Sequence, residues 1–401
     1  MYVSAPRLAP FQPPHRRLMG PGPSDVPERV LAATARPTIG HLDPAFVVMM
    51  DELKELLRYA FQTRNEVTFP ESAPGSVGME TCFVNLVQPG DTVIVCRNGV
   101  FGGRMVENVE RSGGTAVIVD DEWGRPVTPE KVEAALRANQ AARLVAFVQA
   151  ETSTGVLTDP EPLVSLAHAH GCLALVDTVT ALGGCAVKVD EWGIDAVYSG
   201  SQKCLSVPPG LAPVSFNEAA VARVRARTTR CQSWFMDLDL VLSYWGAGTR
   251  TYHHTAPVNA LYGLHEGLLM LADEGLEAAW ARHLHNHRAL VAGLEAMGLG
   301  LLVEPRHRLP QLNLVLVPPG IDEAAARGAL LDEFDLEVGA GLGPLAGKVW
   351  RIGLMGYASR PENVLLCLHG FEHVLREQGF AAPAGVAEQA AQTVLDEAGV
   401  S

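Results

Sequence analysis

The run Cys172-Leu173-Ala174-Leu175-Val176-Asp177 is apolar until it stops on a carboxylate. It is short for a helix, and it reads as a buried strand. The same pattern recurs on either side of it, in Thr92-Val93-Ile94-Val95-Cys96, Ala116-Val117-Ile118-Val119, Leu144-Val145-Ala146-Phe147-Val148 and Ala196-Val197-Tyr198, with amphipathic stretches between. Continuous apolar strands alternating with helices predict an α/β fold. Its sheet should be mostly parallel and covered on both faces, with a ligand site at the carboxyl ends of the strands.

At 401 residues the chain exceeds one ordinary core, so a large and a small domain are expected. Residues 1–20 are proline-rich, with neither a helical nor a strand period, and read as an arm lying over another surface. Pro44 to Phe61 has a helical stripe of Phe46, Met49, Met50, Leu53, Leu56, Leu57 and Phe61. One long helical region, Ala256 to Met297, leads into a smaller α+β unit with strand candidates Leu312 to Val317 and Val349 to Ile352. The expected division is an arm (1–20), a large domain (21–275), a small C-terminal domain (276–380) and an alanine-rich helical tail (381–401) that Pro383 and Gly385 set apart from the body.

The charge balance, 31 Lys and Arg against 45 Asp and Glu for a net −14, offers no footprint for nucleic acid. The seven cysteines are scattered without a CxxC pair, which argues against a zinc site or disulfide scaffold and for a reducing compartment. No run reaches the ~18 apolar residues of a membrane span, and Met1 to Arg17 has no apolar segment of the signal-peptide kind. A cytoplasmic location is expected. His283, His285 and His287 are spaced by two on a predicted helix, so they read as surface residues that cannot converge on a metal.

The candidate chemistry centres on Ser199-Gly200-Ser201-Gln202-Lys203, where one lysine follows a strand in a small-residue setting. Such a lysine can form a Schiff base and then move protons, and a buried acid at a strand end, Asp177, can hold a cationic ring nitrogen. Pyridoxal 5'-phosphate (PLP) chemistry needs both. Pro74-Gly75-Ser76-Val77-Gly78 precedes a helical stretch and could present N–H groups to a phosphate, with Gln202 as a second donor. Phe101 could stack on a ring or simply fill the core, and a hydroxyl in Glu151-Thr152-Ser153-Thr154 could reach a cofactor oxygen or cap a helix. Arg351 is a charge in an apolar strand pattern, suited either to gripping a carboxylate in a cleft or to an exposed edge. Tyr252-His253-His254-Thr255 reads equally as a structural turn or as a phosphate contact.

Taken together, Gly20-Pro21-Gly22-Pro23-Ser24, Phe61-Gln62-Thr63-Arg64-Asn65, Ser153-Thr154-Gly155, Ser199 to Lys203, Tyr252 to Thr255 and Gly347 to Gly353 resemble the class V, fold-type I PLP-dependent aminotransferases, in particular the alanine:glyoxylate and serine:glyoxylate group. The resemblance implies a seven-stranded type of sheet in the large domain. It implies Lys203 as the Schiff-base lysine, Asp177 on the pyridine nitrogen, Thr152 near O3', Phe101 on the ring, and Gly75, Ser76 and Gln202 at the phosphate. Substrate contacts would fall to Arg351, Gly22, His41 and Tyr252, and Tyr252 and Thr255 would reach the cofactor phosphate of a neighbouring subunit, in a homodimer with shared active sites. Pro74 and Phe101 depart from the family pattern, which usually has Ser or Thr and often Trp there.

Val189-Asp190-Glu191-Trp192, Lys203 to Pro208, Gly343 to Lys348 and Met355-Gly356-Tyr357 are also similar to the (S)-ureidoglycine:glyoxylate aminotransferases. That subgroup carries amide side chains where this chain has His41 and Tyr252, and losing them would leave a ureido group without partners. The reading that follows is ping-pong transfer from L-alanine or L-serine to glyoxylate, giving pyruvate or hydroxypyruvate and glycine. The alternatives are the ureidoglycine reaction or a PLP-dependent lyase.

Overall fold

The computed structural model describes residues 4–246, 248 and 250–397, so the first three residues of the expected arm and the last four of the expected tail lie outside the described residues. Seven strands form the main sheet: β1 (Val67–Glu71), β2 (Thr92–Arg97), β3 (Thr115–Asp120), β4 (Ala142–Val148), β5 (Leu173–Asp177), β6 (Ala196–Tyr198) and β7 (Ala212–Phe216), in the spatial order β1-β7-β6-β5-β4-β2-β3. The five strands from β3 to β6 run parallel, and β7 is antiparallel to both of its neighbours. The five apolar runs of the sequence are these five parallel strands, with bounds that agree to within two residues at either end. The other two strands carry Pro70 and Pro213, which interrupt the apolar pattern and oppose each other in the β1–β7 register.

Helices cover the sheet. In α1 (Pro44–Phe61) the stripe read from the sequence buries Phe46, Met50, Leu53, Leu57 and Phe61, with Met49 and Leu56 packed at its margin. Asp43 starts this helix by accepting the Ala45 N–H at 2.8 Å, and Pro44 supplies a fixed φ where no N–H is needed. Two further helices, α2 (Gly75–Leu86) and α3 (Val100–Arg111), begin where the chain leaves β1 and β2, so their N-termini meet the carboxyl ends of the strands. The expected single helix over 256–297 is two, α4 (Val258–Glu274) and α5 (Leu276–Ala296), because Gly275 adopts φ +87° between them.

A second sheet, β8 (Leu312–Leu316), β9 (Gly339–Ala340) and β10 (Val349–Gly353), has β10 in the centre and both pairings antiparallel. It packs with α5 and α6 (Pro361–Glu377) around a separate apolar core that includes Leu290, Leu294, Trp350, Ile352 and Phe371. The N-terminal segment departs from the expectation of no regular structure: Arg17–Leu18 pairs in parallel with Leu336–Glu337, and Met19 sits fully buried in this second core. Farther out, Leu8 and Phe11 are 84% and 86% exposed.

The tail is not set apart. Helix α7 (Val386–Glu397) packs on α5 and α6, and its alanines provide the close approach, with Ala387 and Ala391 buried. A Cβ at Gly293 of α5 would come within 2.9 Å of the Ala387 carbonyl oxygen. The surface reading of the histidines also needs correction. His283 and His287 are four apart, so they share the inner face of α5, and both are buried. His283 Nδ1 meets the Ala279 carbonyl at 2.6 Å while Nε2 accepts the Gly356 N–H at 2.9 Å; His287 Nδ1 lies 2.7 Å from Asn313 Oδ1. Burial pushes both imidazoles down to about 4, so they are neutral structural links between α5 and the second core. Among the described residues no helix is long and apolar enough to cross a membrane.

Glu71 closes β1 almost without exposure, with only a long 3.5 Å hydrogen bond from Thr81 Oγ1. Burial pushes its carboxyl from 4.5 up to about 8. The folded chain therefore holds a proton that the unfolded chain releases, so this group's contribution is complete below about pH 4.5 and is lost as pH rises toward about 8. Glu71→Gln should flatten that decline and raise Tm on its alkaline side, as thermal denaturation across the window will show; an unchanged pH slope refutes it.

Candidate active site

The carboxyl ends of β4, β5 and β6 and the N-termini of α2 and α3 enclose a cavity of about 190 Å³. Its walls include Gly75, Ser76, Phe101, Thr152, Asp177, Gln202 and Lys203, seven residues drawn from distant parts of the sequence.

Asp177 ends β5 and is buried. Its Oδ1 accepts the Val179 N–H at 2.8 Å and its Oδ2 accepts the Tyr198 hydroxyl at 2.7 Å. Burial raises its pKa to about 7 against the pull of those two hydrogen bonds; nearby Glu151 adds to the rise and Lys203 opposes it. Lys203 follows β6 on a buried loop whose turn places Ser206 at φ +57°. Burial lowers its amine to about 8, which enlarges the neutral, nucleophilic fraction at neutral pH.

The Pro21–Ser24 segment straps this loop. The Pro21 carbonyl accepts from Lys203 Nζ, and Ser24 Oγ donates to the Lys203 carbonyl at 2.6 Å. Gly22 has φ +104°, which favours glycine, and a Cβ there would lie 2.6 Å from Nζ, so any other residue would push the end of the lysine side chain aside.

At the other end, α2 opens on Pro74 with no side-chain cap, which leaves its first N–H groups free to face the cavity. Pro74 occupies the cap position itself, so the family departure removes a hydroxyl while the donors of Gly75 and Ser76 remain. Gln202 Oε1 is buried with no hydrogen-bond partner beside them. Amide oxygen and nitrogen are assigned from such networks, and a flip presents the NH2 group instead.

Two residues missed in the sequence complete the frame, Tyr198 and Glu151. Glu151 is buried, and it accepts from Ser153 N–H and Oγ at 3.1 and 2.6 Å and from the Phe101 and Gly102 N–H groups at 3.1 and 3.4 Å. It thus caps α3 and fixes Phe101 in the wall. Burial raises its pKa, with these hydrogen bonds opposing the rise. The same signal that pointed to Asp177, an acid at the end of an apolar strand, was present here one residue before Thr152.

Arg351 lies on central β10 and is buried, not at an exposed edge. Its Nη1 reaches the Thr152 carbonyl at 3.3 Å and its Nε the Ala340 carbonyl at 2.6 Å. Burial lowers its pKa to about 10. A buried guanidinium whose described partners are backbone carbonyls is suited to receive an anion.

Of the expected site residues, Gly22, Arg351, His41, Tyr252 and Thr255 do not line the cavity, although Gly22 and Arg351 reach Lys203 and Thr152 at its margin. His41 and Tyr252 pack on each other with ring centroids 5.4 Å apart, Tyr252 OH lies 3.4 Å from Thr255 Oγ1, and Tyr252 is 64% exposed. The adjoining His254 reaches Ser72 Oγ at 2.7 Å, and burial, with His253 and His41, lowers it to about 4.

A desolvated lysine, a strand-end acid, an uncapped helix start and an orphaned amide together fit PLP, and the fold around them is that of the fold-type I aminotransferases. Residues 20–361 match the Aminotransferase class-V family. The chain belongs to that family and is a PLP-dependent aminotransferase. It is 39% identical to (S)-ureidoglycine--glyoxylate transaminase of Bacillus subtilis over 96% of this chain and 97% of that one. It is 40% identical to alanine--glyoxylate aminotransferase of Oryctolagus cuniculus over 88% and 91%. Among solved structures, the alanine--glyoxylate aminotransferase of Nostoc sp. superposes with a TM-score of 0.91 at 43% identity, covering 93% of this chain and 100% of that one.

Gly22→Ala should displace the Lys203 amine, because a methyl group and the amine cannot share that space. The expected result is purified protein with little lysine-linked PLP, measured as borohydride-trapped adduct by mass spectrometry. A wild-type yield of adduct would show that the strap gives way.

Proposed function

We propose that this enzyme transfers the amino group of L-alanine or L-serine to glyoxylate, in two half-reactions at one site, yielding pyruvate or hydroxypyruvate and then glycine. Glyoxylate as acceptor is supported by the names of relatives on both sides of the donor question. PLP, when bound, supplies an electron sink for the bond broken at the substrate Cα. Lys203 Nζ first holds the cofactor and then takes the proton from Cα, and its depressed pKa suits a base that must also return that proton. Asp177 holds the charged ring nitrogen, the start of α2 with Gln202 holds the phosphate, and Arg351 grips the substrate carboxylate. Thr152 and Phe101, both in the cavity wall, would serve the cofactor's O3' and ring, and Gly22 would leave room for a small substrate beside the amine.

The observation that carries the choice of donor is the contact between His41 and Tyr252. One imidazole and one phenol stand together where the ureidoglycine enzymes have two amides, so the paired carbonyl and NH2 groups that match a ureido group are replaced by single-point donors and acceptors. Because these residues and Thr255 lie outside the chain's own cavity, we read them as completing the site of a second copy, which makes the working unit a homodimer with shared sites. A lyase that uses a cysteine nucleophile is disfavoured, since burial raises all seven thiols, including Cys204 to about 12.

Mixing the loaded enzyme in turn with L-alanine, L-serine and ureidoglycine should bleach its visible cofactor band with the first two, and failure with every amino acid sinks the transaminase reading. Lys203→Ala should abolish the reducible lysine adduct and lower turnover by several orders of magnitude. His41→Gln with Tyr252→Asn should shift the ratio of kcat/KM values toward ureidoglycine by about tenfold or more, the order expected when a buried polar group regains its partners. An unchanged ratio would place the discriminator elsewhere.

A further inference from the structure

Asp177 is held by two donors of different kind. One is a backbone N–H from Val179, which any residue at that position would supply; the other is the phenol of Tyr198, which only this side chain supplies. We propose that Tyr198 is a positioning residue for the cofactor, its hydroxyl fixing the direction and the ionised form of the Asp177 carboxylate, and this rests on the reading that Asp177 meets the PLP ring nitrogen.

The hydroxyl is placed by the fold rather than by chance contact. Tyr198 is the last residue of β6, fully buried, and its ring forms part of the cavity wall. Its carbonyl accepts both the Thr178 N–H and the Thr178 hydroxyl at 2.9 Å, which stitches the end of β6 to the residue after Asp177. On the other side it stands opposite Val214 of β7, and Gly78 of α2 is close enough that an added Cβ would lie 3.4 Å from the Tyr198 Cβ. These contacts fix the backbone and Cβ of Tyr198, and with the side chain fully buried the phenol has no exposed position to move to.

The charges around Asp177 explain why a donor is needed. Lys203 faces it from the loop after β6, Glu151 from the segment after β4, and Cys82 from α2, with Glu71 of β1 beyond Cys82. Glu151 is a second buried acid near enough to raise Asp177, and burial already favours the neutral carboxyl. Burial and Asp177 itself raise the Tyr198 phenol well above its ordinary value, so it stays protonated and donates throughout the working pH range. A phenol that always donates to a carboxylate makes a charge-assisted hydrogen bond, which favours the anion that a protonated ring nitrogen requires. Without it, Oδ2 is a buried acceptor lacking a partner, and the carboxyl takes up a proton at higher pH.

Tyr198→Phe keeps the ring and removes only the hydroxyl. PLP binding to the apoprotein, titrated across pH, should weaken by about tenfold near neutrality, the order of one charge-assisted hydrogen bond, and the acid-side loss of affinity should move to higher pH. A purely structural role for the ring predicts neither change, because phenylalanine preserves the packing; Tm measured in parallel confirms that the variant folds. In an Asp177→Asn background the same substitution should have no further effect on PLP affinity, since the hydroxyl acts through the carboxylate. Wild-type affinity and pH profile in Tyr198→Phe, or full additivity of the two substitutions, overturns the proposal. If Asp177→Asn alone leaves PLP affinity unchanged, the ring-nitrogen reading falls and the role of Tyr198 with it. That outcome is distinct from one in which Asp177 matters and Tyr198 does not.

Discussion

The structure depends on keeping an amine and a carboxyl out of water at the carboxyl edge of a parallel sheet. Removing either ion from solvent costs several kcal/mol, in a fold whose total stability is about 5–15 kcal/mol. Lys203 and Asp177 respond by moving their pKa values toward each other, to about 8 and about 7, so neither is strongly committed to its charged form in the protein alone. A cofactor that bonds to the lysine and offers a cationic nitrogen to the acid relieves both burdens. The same desolvation that weakens the empty pocket is what gives PLP its hold, and the neighbouring uncapped helix and the orphaned Gln202 oxygen follow the same logic.

The two apolar cores are joined at the lysine. Arg17–Leu18 pairs beside the second sheet, the Gly353 N–H of β10 donates to the Met19 carbonyl at 2.7 Å, and five residues later Ser24 ties down the backbone of the lysine loop. Gly353 itself must be a glycine, since a Cβ there would lie 1.9 Å from the Gly20 carbonyl oxygen. Arg351 is two residues before it on the same strand, and its guanidinium crosses to the Thr152 carbonyl in the segment after β4. The groups read as binding the substrate carboxylate and as moving its proton are therefore coupled through one short backbone segment. A shift of the second core relative to the first would change the distance between Arg351 and Lys203 directly.

What could be read from the sequence follows a physical division. Four of the parallel strands were legible because burial on both faces leaves little but apolar residues, the edge strand β3 because it keeps an apolar run although Ile118 is 39% exposed, and α1 because one buried face produces a 3.6-residue stripe. Pro70 and Pro213 concealed β1 and β7, whose acceptability depends on a register that only the folded sheet defines. His283 and His287 were misread because attention to the spacing of two hid the spacing of four, and the tail because Pro383 and Gly385 mark a turn without saying where the chain goes afterwards. In the site, Lys203 and Asp177 announced themselves as charges in apolar or small-residue settings. Tyr198 did not, because a tyrosine ending an apolar strand has an ordinary place in a core, and its function arises only when the neighbouring strand brings a carboxylate within 2.7 Å.

Substrate choice lies beyond the reach of the catalytic residues for a related reason. In the roles proposed for them, Lys203 and Arg351 act on what all α-amino acids share, the amino group, Cα and the carboxylate, and Asp177 acts on the cofactor, so none of the three reads the substrate side chain. Discrimination has to come from groups that meet the variable part of the substrate, and here the candidates, His41 and Tyr252, are far apart in sequence and pack together outside the cavity of their own chain. Such positions can change without disturbing the sheet, the lysine loop or the phosphate end. This explains how one fold, at about the same identity to this chain, is found in relatives named for alanine and for ureidoglycine. On the proposed reading, the chemistry is set by desolvation inside one subunit, and the donor would be set by which side chains a second copy presents to it.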